Sequence, residues 1–190
     1  AELRESLVSF EGCSLKKTAT NTVISEGKED ASIMVIGEAP GADEDRQGIP
    51  FCGASGKLLD QMFASIGLSR QTNLYITNTI FWRPPGNRRP TVEETQTCKP
   101  FLERQIELIE PQLLILVGAT SLNAVLNLNK PISRSRGTFF TYEKQERSVP
   151  ATPIFHPSYL LRAPIQKKKA WFDLLKIKQF IEQNIPDTIS

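Results

Sequence analysis

The chain has 190 residues, 39% of them hydrophobic and 23% charged, with a formal net charge of +2. This is an ordinary globular composition with enough residues for one substantial core, which excludes a disordered chain, and the small net charge does not by itself announce a nucleic-acid partner. No apolar run is long enough to span a membrane and no charged-then-apolar leader opens the chain. The three cysteines, Cys13, Cys52 and Cys98, are widely spaced and odd in number. They read as free thiols of a reducing cytoplasm, bacterial in this reading, rather than a disulfide framework.

The elements follow as one domain over residues 1–190. Ala1 to Gly12 reads as a short amphipathic helix with Leu3, Leu7 and Val8 on one side. Cys13 to Gly27 is polar and turn-rich. Ile33 to Ile36 is a short apolar strand that breaks at Gly37. A loop follows, carrying the acids Asp43, Glu44 and Asp45, then Pro50-Phe51 and the glycines Gly53 and Gly56. Lys57 to Ile66 has helical spacing, and Gly67 stops it. Leu74 to Ile80 is strand-like and runs into Arg83-Pro84-Pro85, which suits neither helix nor inner strand. Thr91 and Glu94 form a capping box that opens a helix to about Ile109. Leu113 to Val117 has the continuous apolar character of a strand buried on both faces, and Ala119 to Leu126 returns as a helix. Arg136 to Tyr142 suits a strand or half a hairpin. Ala151 to Phe155 is a last strand ending at His156-Pro157-Ser158, and Lys167 to Asn184 is a helical tail. Strands alternating with helices imply a mainly parallel sheet covered on both faces. Right-handed crossovers then bring the loops after Ile36, Ile80, Val117 and Phe155 to one edge, where open α/β sheets hold ligands.

Unusual groups sit in three of those loops. Glu38, Glu44 and Phe51 follow the first strand, Asn78 stands near the end of the second, and His156, the one histidine of the chain, follows the last. A histidine locked by Pro157 and followed by Ser158 suits an acid or an oxyanion stabiliser. Gly53 to Lys57 fails as a nucleotide-triphosphate loop, because that pattern needs glycine where Phe51 stands and serine or threonine where Leu58 stands.

Gly37-Glu38-Ala39-Pro40-Gly41 with Glu44-Asp45, then Gly48-Ile49-Pro50-Phe51, Tyr75-Ile76-Thr77-Asn78, Arg83-Pro84-Pro85, and His156-Pro157-Ser158-Tyr159-Leu160-Leu161-Arg162 resemble, in order, the family 4 uracil-DNA glycosylases. The resemblance runs from about Cys13 to Arg162. It implies a three-layer αβα sandwich with a central, mainly parallel four-stranded sheet. It also implies hydrolysis of the N-glycosidic bond of deoxyuridine in DNA, acting as a monomer without membrane contact. The alternatives are a DNA-binding relative with little turnover and a glycosylase shifted towards hypoxanthine or xanthine.

The resemblance also implies roles. Phe51 would stack on an extruded uracil, Asn78 would read its edge, and Gly37 and Gly41 would let the backbone close on it. His156 would donate to the departing base, and Glu38 and Glu44 would position water or stabilise the sugar cation. Ser158, Leu160, Leu161 and Arg162 would enter the minor groove or touch phosphate. Arg83, Arg88 and Arg89 would hold the backbone.

The family holds an iron–sulfur cluster on four cysteines, and here the pattern breaks. Cys13 and Cys98 match two ligand positions, but the other two fall at Phe10 and Trp82. No cluster is expected on two thiolates. The two aromatics are expected to pack together beside Cys13 and Cys98 as a small core.

Overall fold

The computed structural model describes residues 1–189. In chain order the elements are α1 (Glu2–Ser9), β1 (Ser25–Gly27), β2 (Ile33–Gly37), α2 (Ala42–Gln47), α3 (Ala54–Ala64), β3 (Leu74–Asn78), α4 (Val92–Ile109), β4 (Leu113–Val117), α5 (Ala119–Leu126), α6 (Ile132–Ser135), β5 (Phe140–Lys144), β6 (Arg147–Ile154), α7 (Pro157–Arg162) and α8 (Lys167–Asn184). They form one six-stranded sheet in the order β1-β3-β2-β4-β6-β5. The four parallel strands expected, β3, β2, β4 and β6, stand at its centre. Antiparallel β1 and β5 extend it on either side.

The central strands are apolar on both faces because helices cover both. Along β2, Ile33 and Val35 face a core shared with Leu59, Met62 and Phe63 of α3, Leu160 of α7 and Leu174, Ile177 and Ile181 of α8. Met34 and Ile36, one residue out of phase, face Leu102 and Ile106 of α4 and Leu122 and Val125 of α5. This is the αβα sandwich. A third cluster joins Leu7, Cys13 and Leu15 of the N-terminal segment to Ile80, Phe81, Trp82 and Cys98.

Some local expectations are corrected. Val8 faces solvent, and only Leu7 of α1 is buried. Asp43, Glu44 and Asp45 lie in α2 rather than in a loop, because Gly41 caps the helix and Glu44 reaches back to its backbone N–H at 3.2 Å. Asp45 is buried, and its Oδ1 accepts from the backbone N–H groups of Thr20 and Asn21 at 2.8 and 3.0 Å. The last strand starts earlier than expected, at Arg147, because it pairs with β5 as a hairpin. The N-terminal half of Arg136 to Tyr142 stays out of the sheet because Gly137, at φ 69°, turns the chain there.

Candidate active site

Parallel pairing sets the geometry of the cleft. Gly37 at the end of β2 lies directly beside Asn78 at the end of β3. His156 follows β6 and caps α7, and a Cβ at Gly118 after β4 would meet its Cβ at 3.3 Å. Glu38, Gly41, Glu44, Phe51, Asn78 and His156 therefore line one cleft of about 370 Å³ at the carboxyl edge of the sheet, with Arg88, Ser158 and Arg162 also on its walls.

Gly37 has no room for a side chain. A Cβ there would sit 2.3 Å from the Phe51 ring and 2.5 Å from Asn78 Oδ1. Phe51 itself adopts a left-handed backbone, φ 51°, which costs a bulky residue about 1–3 kcal/mol. Arg70 holds it there. Its guanidinium donates to the carbonyls of Pro50 and Phe51 at 2.8 and 2.9 Å and is paired with Glu26 and Asp60. The Phe51 ring lies 6.0 Å from the imidazole of His156. Asn78 is only 2% exposed, yet its Oδ1 accepts no hydrogen bond. Buried acceptors are rarely left unpaired, and this one belongs to a residue that lines the cleft.

The tautomer of His156 follows from its neighbours. The backbone N–H of Ser158 donates to Nδ1 at 3.1 Å, and Ser158 Oγ lies 2.8 Å from the same nitrogen. Nδ1 is thus an acceptor, and the proton of the neutral ring is on Nε2. Burial, then the charge of Arg162, lowers the His156 pKa from 6.5 to about 4, so the ring is neutral at pH 7.

The two glutamates differ. Thr120 Oγ1, at the start of α5, donates to Glu38 Oε2 at 2.5 Å. The carboxylate of Glu44 is occupied by backbone: Oε2 accepts from Gly41, and Oε1 from Cys52 and Gly53, each at 3.2 Å. Glu44 clamps α2 to the start of α3. Burial and then the carboxylates of Glu44 and Asp43 push the Cys52 thiol pKa up.

The remaining expected residues separate. Leu160 is 1% exposed and packs in the core, because the helical turn of α7 points it at α3, whereas Leu161 is exposed. Arg88 forms a two-pronged pair with Glu94, Arg83 donates to Asn87, and Arg89 lies on a neighbouring cleft. Sequence reading missed Arg70 and Thr120. Thr120 had one available signal: it stands two residues past the Gly118 break, on the same sheet edge as Glu38.

The N-terminal cluster does not fit an iron–sulfur group. Phe10 and Trp82 stack at 6.2 Å between centroids, Phe101 meets Phe10 edge-on at 4.9 Å, and Cys13 and Cys98 are buried among them. Burial, then the adjacent Cys13, pushes the Cys98 pKa up to about 12, which keeps it a thiol. Two thiols among aromatic rings are not the four thiolates a cluster requires. The aromatic packing is the one expected from the sequence.

Residues 24–176 match the uracil DNA glycosylase superfamily. The chain is 40% identical to a type-4 uracil-DNA glycosylase of Archaeoglobus fulgidus, over 95% of this chain and 92% of that one. It is 37% identical to a type-4 uracil-DNA glycosylase of Sulfurisphaera tokodaii, over 94% of this chain and 83% of that one. A third, from Thermotoga maritima, is 38% identical over 90% and 88% respectively.

The aromatic cluster generates a prediction. Trp82→Ala should destabilise the protein by about 3–5 kcal/mol in chemical denaturation. Protein purified without oxygen should carry no stoichiometric iron and no visible absorbance. A loss below about 1 kcal/mol, against the range for buried aromatics, or one cluster's worth of iron per chain would rule out packing as the tie.

Proposed function

The chain belongs to the uracil DNA glycosylase superfamily, among its type-4 uracil-DNA glycosylases, and from that premise we propose that it excises uracil from DNA by hydrolysis and leaves an abasic site. The observation that carries this reading is the unpartnered Oδ1 of buried Asn78 in the cleft beside Phe51. An extruded uracil offers N3–H to that oxygen and O4 to the amide N–H of the same side chain. Cytosine reverses both and would leave two buried groups opposed. Phe51 supplies the stacking face.

In the reaction the bond between C1′ and N1 breaks, and its electron pair moves onto the base. His156 Nε2–H donates a hydrogen bond to O2 as that charge grows. A neutral donor suits this role, since the burial that lowers its pKa also keeps water from weakening the bond. Glu38, oriented by Thr120, holds a water on the opposite side of the sugar. The water oxygen bonds to C1′, one of its protons passes to the carboxylate, and the base leaves as an anion that takes up a proton from solvent. Glu44 acts through the backbone it clamps. No lysine nucleophile takes part, so the strand stays intact. Free Cys13, Cys52 and Cys98 suit a reducing compartment such as the cytoplasm. Among the described residues no helix is long and apolar enough to cross a membrane.

The direct experiment is release of uracil from a labelled oligonucleotide, with cytosine and hypoxanthine controls. Asn78→Ala and His156→Ala should each slow single-turnover excision by about ten- to a thousandfold. Wild-type rates in both, or no uracil release by the wild type, would overturn the reading.

Two further outcomes follow from the site. Thr120→Val should lower the rate of the chemical step about tenfold with substrate affinity unchanged, and Thr120→Ser should restore it. The pH–rate profile should show no histidine titration near 6.5, because His156 titrates near 4. The sign for stability is set by the same shift. The contribution of a buried neutral histidine is full above about pH 6.5 and is lost from there down to about 4, where the unfolded chain holds the extra proton. An inflection near 6.5 that disappears in His156→Gln would show that the ring is charged in the working enzyme.

A further inference from the structure

The surface just beyond the cleft carries apolar and basic groups that base excision at the cleft leaves without a role. With Leu160 turned into the core, Leu161 remains 46% exposed at the end of α7. Four residues on, Ile165 is 84% exposed, the most exposed large apolar side chain among the described residues. Single exposed apolar residues are ordinary. These two lie on consecutive short elements that pack against each other. Arg162, which lines the cleft, is three residues from Ile165, a span of at most about 11 Å of chain. Pro164 opens the short 3₁₀ turn that carries Ile165, so the apex is stiff.

Charge follows at once. Lys167, Lys168 and Lys169 occupy the first turn of α8, which contains no acid. All three are exposed, and the ion pairs of α8 lie further along, at Asp173 and between Lys178 and Glu182. Three cations at the positive end of an 18-residue helix repel one another and the helix dipole. A polyanion lying across them removes that repulsion. Two apolar prongs rimmed by unpaired cations, beside a cleft that takes an extruded base, match the apolar wedge with flanking phosphate contacts by which proteins open a base step.

We propose that Ile165 is a second prong that enters duplex DNA beside Leu161, and that Lys167, Lys168 and Lys169 hold the phosphates on that side. The inference rests on the glycosylase reading and adds to it a means of opening paired DNA. A single strand needs no such wedge, which separates the two ideas experimentally.

The test uses the full chain and one uracil oligonucleotide in three forms: single-stranded, paired opposite adenine, and opposite guanine. Ile165→Ala should slow single-turnover excision about tenfold opposite adenine, less opposite guanine because a mismatch opens more cheaply, and less than about twofold in the single strand. A 2-aminopurine next to the uracil should brighten on binding wild type and much less on binding Ile165→Ala. Replacing the three lysines with glutamine should make the salt dependence of duplex binding shallower by about 0.9 per lost phosphate contact. Unchanged duplex rates and fluorescence in Ile165→Ala, or equal losses in single and double strands, would overturn the prong, and the exposed pair would then belong to a different surface. An unchanged salt slope would overturn the phosphate grip. Failure of the wild type to excise from any of the three forms would instead count against the glycosylase reading.

Discussion

The close approach at Gly37 is the constraint on which the site depends. Parallel register places its Cα beside Asn78, and the Phe51 ring takes the space that any side chain at position 37 would need. The ring can lie there only because the backbone at Phe51 turns left-handed. That turn in turn requires Gly56, where a Cβ would meet the Phe51 carbonyl at 1.8 Å. It also requires the guanidinium of Arg70 on the same carbonyl. Arg70 is buried, so its charge needs partners, and it finds them in Asp60 of α3 and Glu26 of the edge strand β1. A strained aromatic in the cleft is thus supported through contiguous contacts from the edge of the sheet.

Carboxylates around the cleft are divided by what their oxygens already hold. Asp43 pairs with exposed Arg46, and Asp45 holds the N-terminal segment. Glu44 accepts three backbone N–H groups. Glu38 receives one hydroxyl on one oxygen, from Thr120. A carboxylate filled with backbone donors serves as a clamp; one that receives a single hydroxyl keeps its other oxygen open. The histidine opposite is neutral for a related reason. Burial and Arg162 both oppose a second positive charge there.

The central strands and long helices were legible because their apolar periodicity matched their burial on both faces. β4 and α8 fall where their patterns placed them. The site was legible at residues that end strands, since topology alone gathers Glu38, Asn78 and His156. It was illegible where the shape of the cleft rests on backbone acceptors distant in sequence. Arg70 serves the carbonyls of Pro50 and Phe51, far back along the chain, and no side-chain pattern records a carbonyl as a partner. The burial of Leu160 and Leu161 was half legible. Adjacent leucines look alike in a motif, but successive residues of α7 diverge by about 100° around the helix, so one is core and the next is surface.

The cluster positions show how one physical tie can stand in for another. Four thiolates around a metal group join distant segments whatever surrounds them. Packing joins them only if area, shape and polar ends agree. At Trp82 all three agree. The indole ring is buried against Phe10 and Phe81, and its Nε1–H donates to Thr22 Oγ1 at 2.9 Å. The neighbouring backbone adds Val23 N–H to Phe81 O at 2.8 Å. The N-terminal segment is then held at three points: by rings at Phe10, by hydrogen bonds at Thr22 and Val23, and by the Asp45 carboxylate at Thr20 and Asn21. Because Trp82 directly precedes Arg83-Pro84-Pro85, and Pro84 lines the cleft, this attachment supports the cleft wall as well as the fold. It demands no iron. Its strength rests on apolar burial, so it rises and falls with the stability of the surrounding core.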